Sequence, residues 1–238
     1  MLNSSTSLPI YIQISELLQR EITAGLYAAG DRLPPEVELA KKLNVAVGTL
    51  RKALSELALR GMLTRRQGSG TYVCAAKDVG LGGGKSVYEF FKLELLRGGG
   101  LPTAQVLAFD KVDTPTAFRV SFSSQCYRVR RLRLLDGTPV ALEEIYFDSK
   151  HHPKLSAADL GEALYQFYKE RLGFWIATAE DHIGQGLAPD WSPAVFALKA
   201  GVVCLRVERV AKSSDGVISE FSVTWFDANQ CRYVNRMK

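Results

Sequence analysis

The order of elements legible in the first 75 residues, helix, helix, helix and then a glycine-tipped hairpin, restricts this chain more than any other feature. In PIYIQISELLQREITAGL, which starts at Pro9, the residues Ile10, Ile14, Leu17, Leu18 and Ile22 recur at helical spacing. Glu16, Gln19 and Arg20 are the polar positions between them, and Gly25 is the stop. After YAAGDRLP, Pro35 suits a first helical turn, and Val37, Leu39, Ala40 and Leu43 supply the apolar side of a short second helix. A third helix, residues 48–60, follows almost at once: Leu50, Ala53, Leu54, Leu57 and Ala58 form one stripe and Gly61 ends it. MLTRR, QGSG and TYVC then read as two short strands joined by a glycine-containing hairpin.

A helix followed closely by a second helix able to enter a groove, and then by a hairpin, is the winged form of the helix-turn-helix arrangement. Thr49, Arg51 and Lys52 open the reading helix for contact with DNA, while Leu50, Ala53 and Leu54 face inward. The glycines of RRQGSGTYV also raise the question of a nucleotide-phosphate loop. Such a loop needs its glycines between a strand and the start of a helix, and here strand residues follow them. Read as a wing, Arg65, Arg66, Gln67, Gly68, Ser69, Gly70 and Thr71 meet the duplex backbone. Their cations displace counterions from phosphate, and glycines allow close approach.

The formal charge of +5 permits nucleic-acid binding without demonstrating it, so the position of the basic residues decides more than their sum. MLNSSTS at the start lacks a signal peptide's basic and apolar regions, and no apolar run reaches a membrane span, which leads us to expect a cytoplasmic protein that does not engage membranes. Cys74, Cys126, Cys204 and Cys231 are widely separated, and the pair His151 and His152 precedes a proline in a loop-like stretch. Neither a disulfide framework, a metal site nor a cofactor is expected.

The glycine-rich AAKDVGLGGGK, residues 75–85, reads as a linker. We therefore expect a DNA-binding domain over residues 1–75, a linker over 76–85 and a second domain over 86–238. In the second domain SVYEFFKLELLRG looks helical, CYRVRRLRLLDGTPVALEEIYFD looks like two strands around DGTP, and SAADLGEALYQFYKERLG looks helical. GVVCLRVERVAKSSDGVISEFSVTWF repeats the strand, turn, strand pattern, which gives a mixed α+β domain of hairpins. Tyr88, Phe90, Phe91, Tyr165, Phe167 and Tyr168 fall at helical intervals and fit core or dimer packing better than a ligand cage.

The run LPPEVELAKKLNVAVGTLRKALSELALRGMLTRRQGSGTYV resembles the DNA-binding half of GntR-family transcription regulators. Departures from the family pattern are Pro35 in place of Ser, Val37 in place of Arg, and Ala46 with Val47 in place of a Ser-Arg pair; Thr49 and Arg51 match. The later hairpins resemble the UTRA effector domain of the HutC branch, which implies a chorismate-lyase-like fold that binds a ligand rather than turning one over. The resemblance implies that Arg131 and Arg133, on one strand face, grip an anionic small molecule such as a sugar phosphate or organic acid. It also implies that Glu143 and Glu220 accept hydrogen bonds from it, with Ser86 a phosphate contact. Phe226 stands where relatives place a ligand-facing Tyr, and Asp227 where Arg is frequent. The plainer reading of the arginines is a solvated strand face, or a pairing with Glu143 across the hairpin. The implied function is a homodimeric, operator-binding regulator, most simply a repressor, modulated by its effector. The alternatives are a lyase-like enzyme fused to a DNA-binding domain, and a dimerisation domain that has lost its ligand.

Overall fold

A computed structural model describes residues 9–23, 25–74, 91–152, 154–160 and 164–235. They fall into two compact units, one running to Phe91 and also taking in Asn235, the other Lys92–Val234. Ser86, Tyr88 and Phe90, and the expected linker, lie outside the described residues.

In the first unit, helices α1 (Ile10–Thr23), α2 (Glu36–Lys42) and α3 (Val47–Leu59) precede strands β1 (Leu63–Arg66) and β2 (Gly70–Val73), which pair antiparallel. Ile14 and Leu18 of α1, Leu39 and Ala40 of α2, Leu50, Ala53, Leu54 and Leu57 of α3, and Leu63 and Val73 of the hairpin form one core. Val37, expected in that core, is 67% exposed. It stands two residues before Leu39, about 200° around the helix at 3.6 residues per turn, and so faces away from the buried stripe. Glu16 and Gln19, expected on the polar side of α1, are buried instead. Arg60, beyond the end of α3, donates to their side-chain oxygens at 2.6 and 2.7 Å, and this charge-assisted bonding compensates their removal from water. Between α2 and α3, Asn44 takes the left-handed conformation, φ 53°, that turns the chain into the reading helix.

The second unit is built on six antiparallel strands: β4 (Pro102–Asp113), β5 (Gln125–Leu135), β6 (Thr138–Asp148), β7 (Ile176–Leu187), β8 (Val203–Ser213) and β9 (Ile218–Phe226), in the order β4-β5-β6-β9-β8-β7. The DGTP turn joins β5 to β6 with Asp136 and Gly137 both at positive φ, the signature of a tight two-residue hairpin. Leu132, Leu142 and Trp225 line one face of the sheet, packed with Phe196, Trp191 and Leu198 of the stretch that leads from β7 to β8.

Two expected helices are corrected. Within SVYEFFKLELLRG, residues 93–95 form strand β3 (Leu93–Leu95), paired with β10 (Cys231–Tyr233) from the other end of the domain, so a long-range pairing overrides local helix preference. SAADLGEALYQFYKERLG is broken into a 3₁₀ turn, Ala157–Asp159, a four-residue α4 (Leu164–Phe167) and a π turn, Tyr168–Leu172, that stops at Gly173 with φ 76°.

Candidate nucleic-acid interface and ligand-binding face

Helix α3 divides its residues by side. Leu50, Ala53, Leu54 and Leu57 are buried, Arg51 and Lys52 are exposed, and Thr49 is half-buried at the first turn. Ala46 precedes the helix in an extended conformation with no side-chain cap, so the site keeps no polar side chain over the first amides. The Lys52 ammonium lies 4.0 Å from the centre of the Tyr11 ring. Arg51 Nε donates to Glu36 Oε2 at 2.6 Å, and Arg65 Nη2 donates to the Arg51 carbonyl at 3.1 Å. Reading helix and wing are therefore in contact within this unit.

The wing turns at Gly68, φ 72°, and Gly70, φ 124°, a region that L side chains rarely adopt. Arg66 stacks 4.7 Å from the Tyr72 ring centre, and the Tyr72 hydroxyl shares a 2.7 Å hydrogen bond with Ser69 Oγ. Arg65, Arg66, Gln67 and Gly68 are exposed, and Ser69 and Gly70 half-buried. Thr71 is a correction to the expected contact set: its side chain is buried, because it lies on the same side of β2 as the core residue Val73, and its carbonyl accepts from Leu33 N at 2.9 Å.

In the second unit, strand register brings the expected ligand residues onto the sheet face opposite the Trp225 cluster. Arg133 pairs with Ala141, Ala141 with Phe226 and Phe226 with Leu205; one step along, Arg131 pairs with Glu143 and Glu143 with Thr224. The next row holds Ser222, Arg209 and Asp181, and Glu220 follows on β9. Arg131 Nη2 donates to Glu143 Oε2 at 2.7 Å, and Arg133 Nε lies 3.8 Å from the same oxygen. The pairing with Glu143 foreseen for the arginines is thus present, but as a buried set rather than a solvated face.

Four residues that sequence reasoning had left out of the site complete this face. Tyr165 and Tyr168 donate to Glu220 at 3.1 and 2.8 Å, so these aromatics do more than pack, although Tyr168 also lies against Phe147 with ring centres 5.3 Å apart. Arg209 makes a two-point contact with Asp181 at 2.5 and 2.6 Å. The tyrosines' signal in the sequence was a three-residue spacing alone, which many core positions share, and Arg209 and Asp181, 28 residues apart, are brought together only by strand register.

The electrostatics differ along the face. Burial pushes the Glu143 carboxyl up, but the Arg131 and Arg133 charges outweigh it and hold it below the usual carboxylate range. At Glu220 burial wins, only partly offset by the Tyr168 hydrogen bond and the Arg209 charge, and its pKa is raised. Burial next to Glu220 raises Tyr165 and Tyr168 as well, which keeps both hydroxyls as donors. Phe226 is buried between Ala141 and Leu205 and borders an open cleft of about 220 Å³ with Gln185, Asp227 and Asn229. Among the described residues no cluster of His, Cys, Asp or Glu is arranged to hold a metal ion, and no helix is long and apolar enough to cross a membrane.

A helix-turn-helix unit with a wing, carried on the same chain as a sheet that buries a charged, hydrogen-bonding face, defines a DNA-binding transcription regulator with a small-molecule-binding domain. Residues 10–73 match the bacterial regulatory proteins of the gntR family, and residues 98–232 match the UTRA domain. The chain belongs to the GntR family, whose members are transcription regulators and not enzymes. It is 45% identical, over the full length of both chains, to the HTH-type transcriptional regulator SmoD of Agrobacterium fabrum. To the HTH-type transcriptional repressor NagR of Bacillus subtilis it is 23% identical over 99% of this chain and 98% of that one. The crystal structure of the possible transcriptional regulator YydK from Bacillus subtilis superposes with a TM-score of 0.53 over 96% of this chain and 99% of that chain, at 22% identity, and shares its fold.

Proposed function

We propose that this chain represses transcription as a cytoplasmic homodimer. It binds a two-fold operator through Thr49, Arg51 and Lys52 of α3 and through the wing residues Arg65 to Gly70, and a small anionic effector binds the sheet face. The observation that carries the DNA reading is the division of α3 into a buried stripe and an exposed edge with Arg51 and Lys52. A repressor name on one relative supports the sign of regulation. Residues 1–75, 76–85 and 86–238 serve as DNA-binding domain, linker and effector domain in this reading.

The effector would meet Arg131 and Arg133 with its anionic group, and Glu143 and Glu220 with hydroxyls or an amine; Ser86 and Phe226 complete the proposed set. Removing paired charges from water is costly, and apolar residues of similar volume would serve stability as well or better. A buried set of this composition is therefore better explained by ligand binding than by folding. Differential affinity of the effector for DNA-competent and incompetent arrangements would then shift their populations. Recovering DNA fragments bound by the full chain in the cell tests the function: enrichment of one two-fold-symmetric sequence near a few promoters supports it, and diffuse enrichment contradicts it. Thermal-shift measurements with phosphorylated sugars and organic acids test the effector class, and the absence of any stabilisation would favour a ligand-free dimerisation domain.

A further inference from the structure

The carboxylate of Glu36, the first residue of α2, sits between two arginines that the DNA-binding reading needs. Its Oε2 accepts from Arg51 Nε at 2.6 Å, and its Oε1 lies 4.0 Å from Arg65 Nη2, which itself donates to the Arg51 carbonyl. One acidic side chain thus joins the start of α2, the reading helix and the wing. The Arg51 and Glu36 side chains remain 63% and 30% exposed, and an exposed ion pair contributes little to folding stability. A carboxylate placed beside the phosphate-binding surface also repels DNA. Stability does not account for it, and general affinity for DNA argues against it.

Selectivity does account for it. Arg51 is engaged through Nε, and its two terminal nitrogens have no partner among the described residues. A guanidinium held on one edge loses rotamer freedom and aims its remaining donors in a fixed direction, the geometry needed to meet guanine O6 and N7 together. An untethered arginine is satisfied by any phosphate and carries no sequence information.

We propose that Glu36 is the positioning residue that makes Arg51 a directional reader of a base edge, and that its charge at the same time weakens non-specific binding. The proposal rests on the assignment of α3 to the major groove. Selection by the full wild-type chain from duplexes with a randomised core supplies a consensus duplex. Affinities for it, and for a shuffled duplex of the same composition, are then measured at one fixed salt concentration. The proteins compared are wild type, Glu36→Gln, Glu36→Ala, Arg51→Ala and the double variant Glu36→Ala/Arg51→Ala. The ratio of specific to shuffled affinity is expected to fall about ten-fold in Glu36→Ala, the scale of one bidentate base contact, with a smaller fall in the near-isosteric Glu36→Gln. The shuffled duplex is expected to bind unchanged or up to about three-fold tighter, because one repulsive charge has gone. In the Arg51→Ala background, replacing Glu36 should leave the ratio where it is. An unchanged ratio in both Glu36 variants, or an equal further loss without Arg51, overturns the proposal. A wild-type chain that selects no consensus instead overturns the groove assignment of α3, and the proposal with it.

Discussion

Arg131 donates to Glu143 Oε2 twice across the β5–β6 pair, from Nε at 3.1 Å and from Nη2 at 2.7 Å, with the side chains only 7% and 12% exposed. Removing one partner leaves the other charge in a nearly dry site. Arg131→Met is therefore expected to destabilise the C-terminal domain by about 3 kcal/mol, the lower end for a broken buried pair because Arg133 stays 3.8 Å from Glu143. Arg131→Met together with Glu143→Met should cost clearly less than the two single replacements added. Urea unfolding of the four proteins measures this, and strictly additive losses would contradict the pairing.

Acid should remove this stabilisation. Glu143 has a depressed folded pKa despite burial, through Arg131 and Arg133, and Asp181 is likewise held down despite burial by its hydrogen bonds to Arg209. A depressed carboxylate contributes stability that is fully present above its unfolded pKa, near 4, and lost as pH falls through the folded value. Denaturation midpoints should therefore hold steady from neutral pH to about pH 5 in this respect and decline below about pH 4.

Glu220 has the opposite sign. Its folded pKa is raised by burial, so ionising it opposes folding, and that cost grows as pH rises from the unfolded value through the folded one. Glu220→Gln, which cannot ionise and still offers Tyr168 an acceptor, is expected to raise the melting temperature more at pH 8 than at pH 5. An equal shift at both pH values would show that Glu220 is already as ionised in the folded protein as in the unfolded one, and would contradict a raised folded pKa.

The wing turn depends on two glycines to different degrees. Gly68, φ 72°, has open space where a Cβ would stand, whereas Gly70, φ 124°, would place its Cβ 2.7 Å from Arg32 Nε. Gly68→Ala is expected to cost about 1 kcal/mol, and Gly70→Ala more, because its conformation suits L residues less and Arg32 must also move. Chemical denaturation of the N-terminal domain gives the order, and a larger loss at Gly68 would contradict the turn geometry.

Lys52 separates a phosphate contact from a packing role. Its ammonium stacks on Tyr11 at 4.0 Å. As a phosphate contact, Lys52→Ala should weaken consensus and shuffled duplexes alike and lower the slope of log affinity against log salt by about 1. A lowered melting temperature with an unchanged salt slope would assign Lys52 to the Tyr11 contact alone.

The parts of this fold that sequence reasoning reached are those with local causes. Helical stripes such as Leu50, Ala53, Leu54 and Leu57, and glycine turns such as Asp136-Gly137, are written within a dozen residues. Strand β3 was missed because LEL acquires its conformation from CRY at the far end of the domain. Strand β7, at one edge of the sheet, was missed because IATAEDHIGQGL is mostly exposed, carries two glycines and offers no apolar alternation. The site divides the same way. Arg131 and Arg133 are visible as a pair two apart, but Arg209 joins them only through the register that sets it opposite Ser222 and Asp181. Glu36 gives no local sign of its role, since its partners Arg51 and Arg65 are brought to it by the helix-turn-helix and the wing.

The central claim, that α3 reads DNA sequence, is tested most directly by fluorescence anisotropy of wild type and Arg51→Ala on the consensus and shuffled duplexes at one salt concentration. Wild type is expected to prefer the consensus. Arg51→Ala is expected to lose about ten-fold or more on that duplex, with a change of no more than about three-fold on the shuffled one. Equal losses on both duplexes would reduce Arg51 to a phosphate contact, and unchanged affinity on the consensus would remove it from the interface.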